Sequence, residues 1–105
     1  MSIEPPIILN ETRQPGVPGD ISFFDTIERA VQYVEPVDVE NCEYEVFDIR
    51  GQLLALTVRD DLVELTGTGI INRNGLISLL EQHLPRCEAE AGRQEVIAVL
   101  TLARR

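Results

Sequence analysis

Residues 43–65 read EYEVFDIRGQLLALTVRDDLVEL, and the reading of this stretch decides the fold. Tyr44 and Val46 alternate with Glu43 and Glu45, the period of a strand with one buried face. Phe47 and Ile49 fall out of that phase, which predicts a twist or bulge there. Arg50-Gly51 reads as a turn, with glycine supplying the positive φ of a tight hairpin. Residues 53–58, LLALTV, are apolar on both faces and read as a central strand. Asp60-Asp61 marks a second turn, and LVEL at 62–65 a third strand. Connections this short cannot make crossovers, so the three strands form an antiparallel meander.

Upstream, residues 25–35 predict a helix. Asp25 serves as N-cap and Glu28 completes a capping box. Ile27, Ala30, Val31 and Val34 form one apolar stripe, and Pro36 ends the helix. VDVEN then reads as a linking segment. Residues 1–19 form a proline- and glycine-rich N-terminal segment ahead of a single domain at 20–105. Within that segment Ile7–Leu9 is a possible edge strand, since Pro5, Pro6, Pro15 and Pro18 cannot donate to a ladder. Asp20–Phe24 reads as a short strand leading into the helix. Downstream, Gly67, Gly69, Asn72, Asn74 and Gly75 mark a loop. Leu76, Ile77, Leu80, His83 and Leu84 repeat at helical spacing until Pro85. Residues 88–103 suit either a helix or a buried strand; the Ala- and Glu-rich lead-in favours the helix. The expected class is α+β, an antiparallel sheet of three or four strands with helices packed on one face.

The 105 residues suffice for one core, and a hydrophobic content of 44% is ordinary for a folded domain. No apolar run approaches the roughly 18 residues of a membrane helix. MSIEPPIILNETR lacks the basic n-region and apolar core of a signal peptide, so a cytoplasmic protein is expected. Eighteen acids face nine bases, a net charge of −9. Such a surface repels nucleic-acid phosphates and anionic membranes, and it suits a basic partner or simple solubility. All nine bases are arginine.

Candidate chemistry is sparse. Cys42 and Cys87 make no disulfide framework, and a single histidine, His83, leaves a metal site short of ligands. Cys42 and His83 could form a nucleophilic pair only if the fold joined them, and the acidic run around Cys42 disfavours its thiolate. Glu43 and Glu45 share a strand face but have no aromatic cleft beside them, so a solvated face outweighs a catalytic carboxylate pair. Asp38-x-Glu40 and Asp60-Asp61 lack the spacing of a calcium loop. Gly67-Thr68-Gly69 lacks the third glycine of a dinucleotide fingerprint. No metal and no cofactor are expected. What remains is a run of like charge: Glu35, Asp38, Glu40, Glu43, Glu45 and Asp48, six carboxylates at a helix exit and along a strand. Screening by solvent or pairing with a basic partner would offset their repulsion. Tyr44, among them, is either an exposed aromatic anchor or a core residue.

DISFFDTIERAVQYVEPVDV at 20–39, followed by EYEVFDIRGQLLALTV at 43–58, resembles small bacterial immunity proteins of polymorphic-toxin and contact-dependent-inhibition systems. The shared pattern is a strand, a helix ending in YVEPVDV, and an acidic strand entering a D-x-x-G-x-L-L hairpin. The resemblance implies a protein that binds a cognate toxin, often a basic nuclease, and occludes its active site; it supplies no catalytic residues. A binding module is therefore expected rather than an enzyme, with Glu35, Asp38, Glu40, Glu43, Tyr44, Glu45 and Asp48 facing the partner. The alternative is an accessory subunit that forms a homo-oligomer through the apolar segment 96–103.

Overall fold

Three consecutive apolar residues, Ile7, Ile8 and Leu9, leave a strand with no polar face, and such a strand needs cover on both sides. In the computed structural model, which describes residues 2–105, they obtain it. Strand β1 (Ile7–Glu11) lies inside a five-stranded antiparallel sheet together with β2 (Asp20–Phe24), β3 (Tyr44–Phe47), β4 (Gln52–Arg59) and β5 (Leu62–Ile71). The strand order is β2-β1-β3-β4-β5. β1 pairs with β2 through Ile8↔Phe23 and Glu11↔Asp20, and with β3 through Leu9↔Val46 and Glu11↔Tyr44. The expected edge strand is thus an interior one. The prolines that suggested an edge all lie outside Ile7–Glu11, so no ladder donor is missing. The N-terminal segment is part of the domain's sheet, and a boundary after residue 19 does not divide the fold.

The α+β class and the antiparallel meander stand; the sheet has five strands rather than three or four, because β1 and β2 join it, and the placing of the helices differs. On one face Ile8, Phe47 and Ile49 pack against Leu76, Leu79 and Leu80 of α3 (Arg73–His83) and Val96, Val99, Leu100 and Ala103 of α4 (Glu90–Ala103). On the other, Ile7, Leu9, Val46 and Leu54 pack against Ala30 and Val34, with Ile27 and Val39 at the margin. These come from α1 (Ile27–Tyr33), its C-cap, and α2 (Pro36–Glu40). Helices cover both faces, not one, because alternate residues of β1 and β3 are apolar on both sides. The same fact removes the expected irregularity at Phe47: Val46 and Phe47 are buried on opposite faces of a regular strand.

Local signals shift by a few residues. Thr26, rather than Asp25, caps α1, its hydroxyl accepting from the Arg29 N–H at 3.1 Å. Pro36 does end that helix, but it also begins the next at a position where its missing N–H costs nothing, so VDVE is helical. Asn72 caps α3 through the Gly75 N–H at 3.0 Å. Residues 90–103 are helical, with Val96, Val99, Leu100 and Ala103 on one buried stripe. Asp60 and Asp61 both take positive φ, 51° and 62°, as the two-residue turn between β4 and β5 requires.

Gly67 and Gly69 lie in β5, not in a loop. The ladder aligns Leu54 with Gly67 and Gln52 with Ile71, so β5 carries extra residues there. Gly69 takes φ +78° in this bulge and donates its N–H to the Gln52 side chain at 3.0 Å.

Candidate partner-binding site

The acidic run does not form one surface. Asp48 is fully buried beneath the β3–β4 turn. Its Oδ1 accepts from the backbone N–H groups of Arg50 and Gln52, both at 2.9 Å. Its Oδ2 accepts from the Glu4 N–H and the Gln52 amide, both at 3.1 Å, with the Arg50 guanidinium 3.5 Å away. Asp48 therefore builds the turn and cannot face a partner, which corrects its place among the binding residues. The D-x-x-G spacing explains this: a carboxylate three residues before the turn glycine can gather the turn's own N–H groups.

Glu45 is also engaged internally. Its Oε1 accepts from the Asn10 side chain at 3.2 Å and from the Gly16 N–H at 3.1 Å. Asn10, fully buried at the end of β1, binds the Val17 carbonyl and the Gly19 N–H as well, so this pair holds the 12–19 loop against the sheet. Glu43 pairs with Arg13 of that loop, its Oε1 accepting from Nε at 3.1 Å and Nη2 at 2.9 Å. Asp38 accepts from the Tyr44 hydroxyl at 3.3 Å, and that hydroxyl accepts from the Glu35 N–H at 3.4 Å. Glu35 and Glu40 are exposed.

The sheet order adds two carboxylates that no contiguous run contains. The register places Glu11 opposite both Asp20 and Tyr44. Glu11, Asp20, Asp38 and Glu43 then line one concave site of about 490 Å³, with Thr12, Arg13 and Tyr44 completing its wall. Tyr33 stands at the margin, its hydroxyl donating to Glu11 and its ring 5.2 Å from that of Phe24. Hydrogen bonding to Glu11, then burial and the Glu11 charge, raise the Tyr33 hydroxyl above its ordinary pKa. Burial first, and then the Asp38 charge, do the same for Tyr44, against an opposing bond from the Glu35 backbone. Both phenols keep their protons at neutral pH and act as donors. The cleft presents four carboxylates against one guanidinium.

No family model, curated protein or solved structure matches this chain.

The remaining candidates separate. Cys42 is exposed, and His83 lies instead beside Cys87. Among the described residues no group of three or more His, Cys, Asp or Glu is placed to hold a metal, and no helix is long and apolar enough to cross a membrane. In segment 96–103, Val96, Val99, Leu100 and Ala103 are used in the core, and of its large apolar residues Ile97 and Leu102 are exposed. The surface invoked for a homo-oligomer is mostly spent within the chain.

Proposed function

We propose that this protein is a binding module that receives an arginine- or lysine-bearing segment of a basic protein partner in the cleft between β1, β2, β3 and α2. The observation that carries this reading is the convergence of Glu11, Asp20, Asp38 and Glu43 on one concave site, where Glu43 already holds a guanidinium in a forked contact. Carboxylates gathered from β1, β2, α2 and the residue before β3 repel one another, and a cationic side chain would relieve that repulsion on binding. Arg13 is 74% exposed at its side chain, so an incoming guanidinium could displace it. Glu35 and Glu40 would act at the rim, mainly on the rate of encounter. The resemblance of residues 20–58 to immunity proteins gives the partner a class: a cognate toxin domain, which the bound protein neutralises in the cytoplasm.

Charge reversal tests both parts. Glu11→Lys and Asp38→Lys should each weaken a complex with a basic toxin domain, sought among the neighbouring genes, by about 2 kcal/mol or more, measured by calorimetry, if the pairs are desolvated. Glu64→Lys and Glu88→Lys, exposed and outside the cleft, change the net charge equally and should cost about 1 kcal/mol or less. Equal effects from the two sets would place the interface elsewhere. A toxin that stays fully active with this protein in excess would remove the neutralising role.

A further inference from the structure

The sequence offers His83 and Cys87 one helical turn apart, and the fold turns that spacing into a contact. His83 is the last residue of α3, and a 3-10 turn through Leu84–Arg86 carries the chain to Cys87, whose N–H donates to the Leu84 carbonyl at 3.2 Å. Pro85 sits at the start of that turn, where its ring stiffens the geometry. The result places Cys87 Sγ 3.4 Å from His83 Nε2. The other acceptor in reach is the His83 carbonyl oxygen at 3.6 Å, which can hold a proton in a hydrogen bond but cannot take it away. The ring's second nitrogen, Nδ1, is buried without a hydrogen-bond partner, so the thiol is the polar contact that the imidazole makes. Both residues are only partly buried, Cys87 at the margin of the α3–α4 core.

We propose that Cys87 is a modification site, a thiol that exchanges with small disulfides while His83 acts as its base. The thiol proton passes to His83 Nε2, and Sγ attacks one sulfur of the disulfide R–S–S–R. The Sγ–S bond forms, the S–S bond breaks, and the departing thiolate takes the proton from the imidazolium and leaves as R–SH. The ring enters this step in its neutral form. Burial, and then the positive charge of Arg86, lower its pKa below the ordinary value, against an opposing pull from Asp20 on β2. Arg86 itself is held by the Pro18 carbonyl at 2.6 Å, which keeps its charge beside the pair. Cys42 is the internal contrast: it is exposed, at φ 54° after α2, and has no imidazole beside it.

Glutathione disulfide, added to the intact native protein at neutral pH and followed by peptide mapping, tests the assignment. Cys87 should be thiolated about tenfold or more faster than the better-exposed Cys42, a modest share of what a placed base can supply. In denaturant the two rates should converge. His83→Gln keeps a polar amide but takes no proton; it should slow Cys87 to the Cys42 rate and leave Cys42 unchanged. The wild-type pH profile provides a readout that does not depend on that variant's folding: the advantage of Cys87 should persist below pH about 6.5, the ordinary histidine value, and disappear as the ring protonates at its lowered pKa. A native Cys87 that reacts no faster than Cys42, or a Cys87 rate untouched by His83→Gln in a variant of unchanged melting midpoint, overturns the proposal and leaves Cys87 a packing residue.

Discussion

Gly51→Ala should destabilise this protein by about 3 kcal/mol or more, measured by urea unfolding. Gly51 takes φ +83°, where alanine is strained by about 1–2 kcal/mol. A Cβ there would also lie 2.5 Å from Arg73 Cα and 2.8 Å from Arg73 N, which are backbone atoms of the first residue of α3. Neither can give way alone, because the Gly51 carbonyl accepts the Asn72 N–H at 2.8 Å and so locks the turn to the cap of that helix. Overpacking of this kind adds about 1–3 kcal/mol to the backbone strain. The hairpin turn and the start of α3 should therefore fail together. A loss of less than about 1 kcal/mol would show that the turn and the helix can separate at little cost.

Asp48→Ala should cost a comparable amount, about 3 kcal/mol or more, although it removes no apolar surface. Four N–H donors converge on the carboxylate, from Glu4, Arg50, Gln52 and the Gln52 amide. Alanine would strand those that water cannot reach, and it would leave the Arg50 guanidinium with Glu4 as its remaining anion. Asp48→Asn should lie between the two, because one oxygen still accepts while the new amide meets the Gln52 amide donor to donor. A near-neutral Asp48→Ala would mean that water replaces the carboxylate freely and that the turn is held by its glycine alone.

Those two residues show what could be read from the chain and what could not. The turn glycine was legible because flanking apolar runs and a single glycine leave few ways to connect two strands. The burial of Asp48 was not, because a carboxylate in an acidic run has the same letter whether it meets solvent or three backbone donors and a side-chain amide. The bodies of α1 and α3 and the meander were legible from local periodicity, whereas α2 was not, and residues 88–103 fitted a buried strand as well as the helix they form. The position of β1 was not. Its apolar triplet signalled burial, but which strands flank it is a non-local matter, and neighbouring prolines pointed to an edge. The cleft was hidden for the same reason: Glu11 and Asp20 reach Asp38 and Glu43 only once β1 is inserted beside β3. Gly67 and Gly69 carried a correct signal of irregular backbone that belonged to a bulge within a strand rather than to a loop.

The insertion of β1 has a consequence for how the molecule opens. Amide protons in a strand with one unpaired edge usually exchange with solvent early, because that edge opens locally. Here β1 is clasped from both sides, by β2 and by β3, while β5 is paired on one side only. In hydrogen–deuterium exchange the amides of Ile8, Leu9 and Asn10 should therefore be among the slowest, released only by global unfolding, and the outer amides of β5 should exchange through local opening. The same rate in β1 and β5 would mean that the N-terminal strand peels away on its own. If it does not, Ile7–Glu11 are the last part of the sheet to let go.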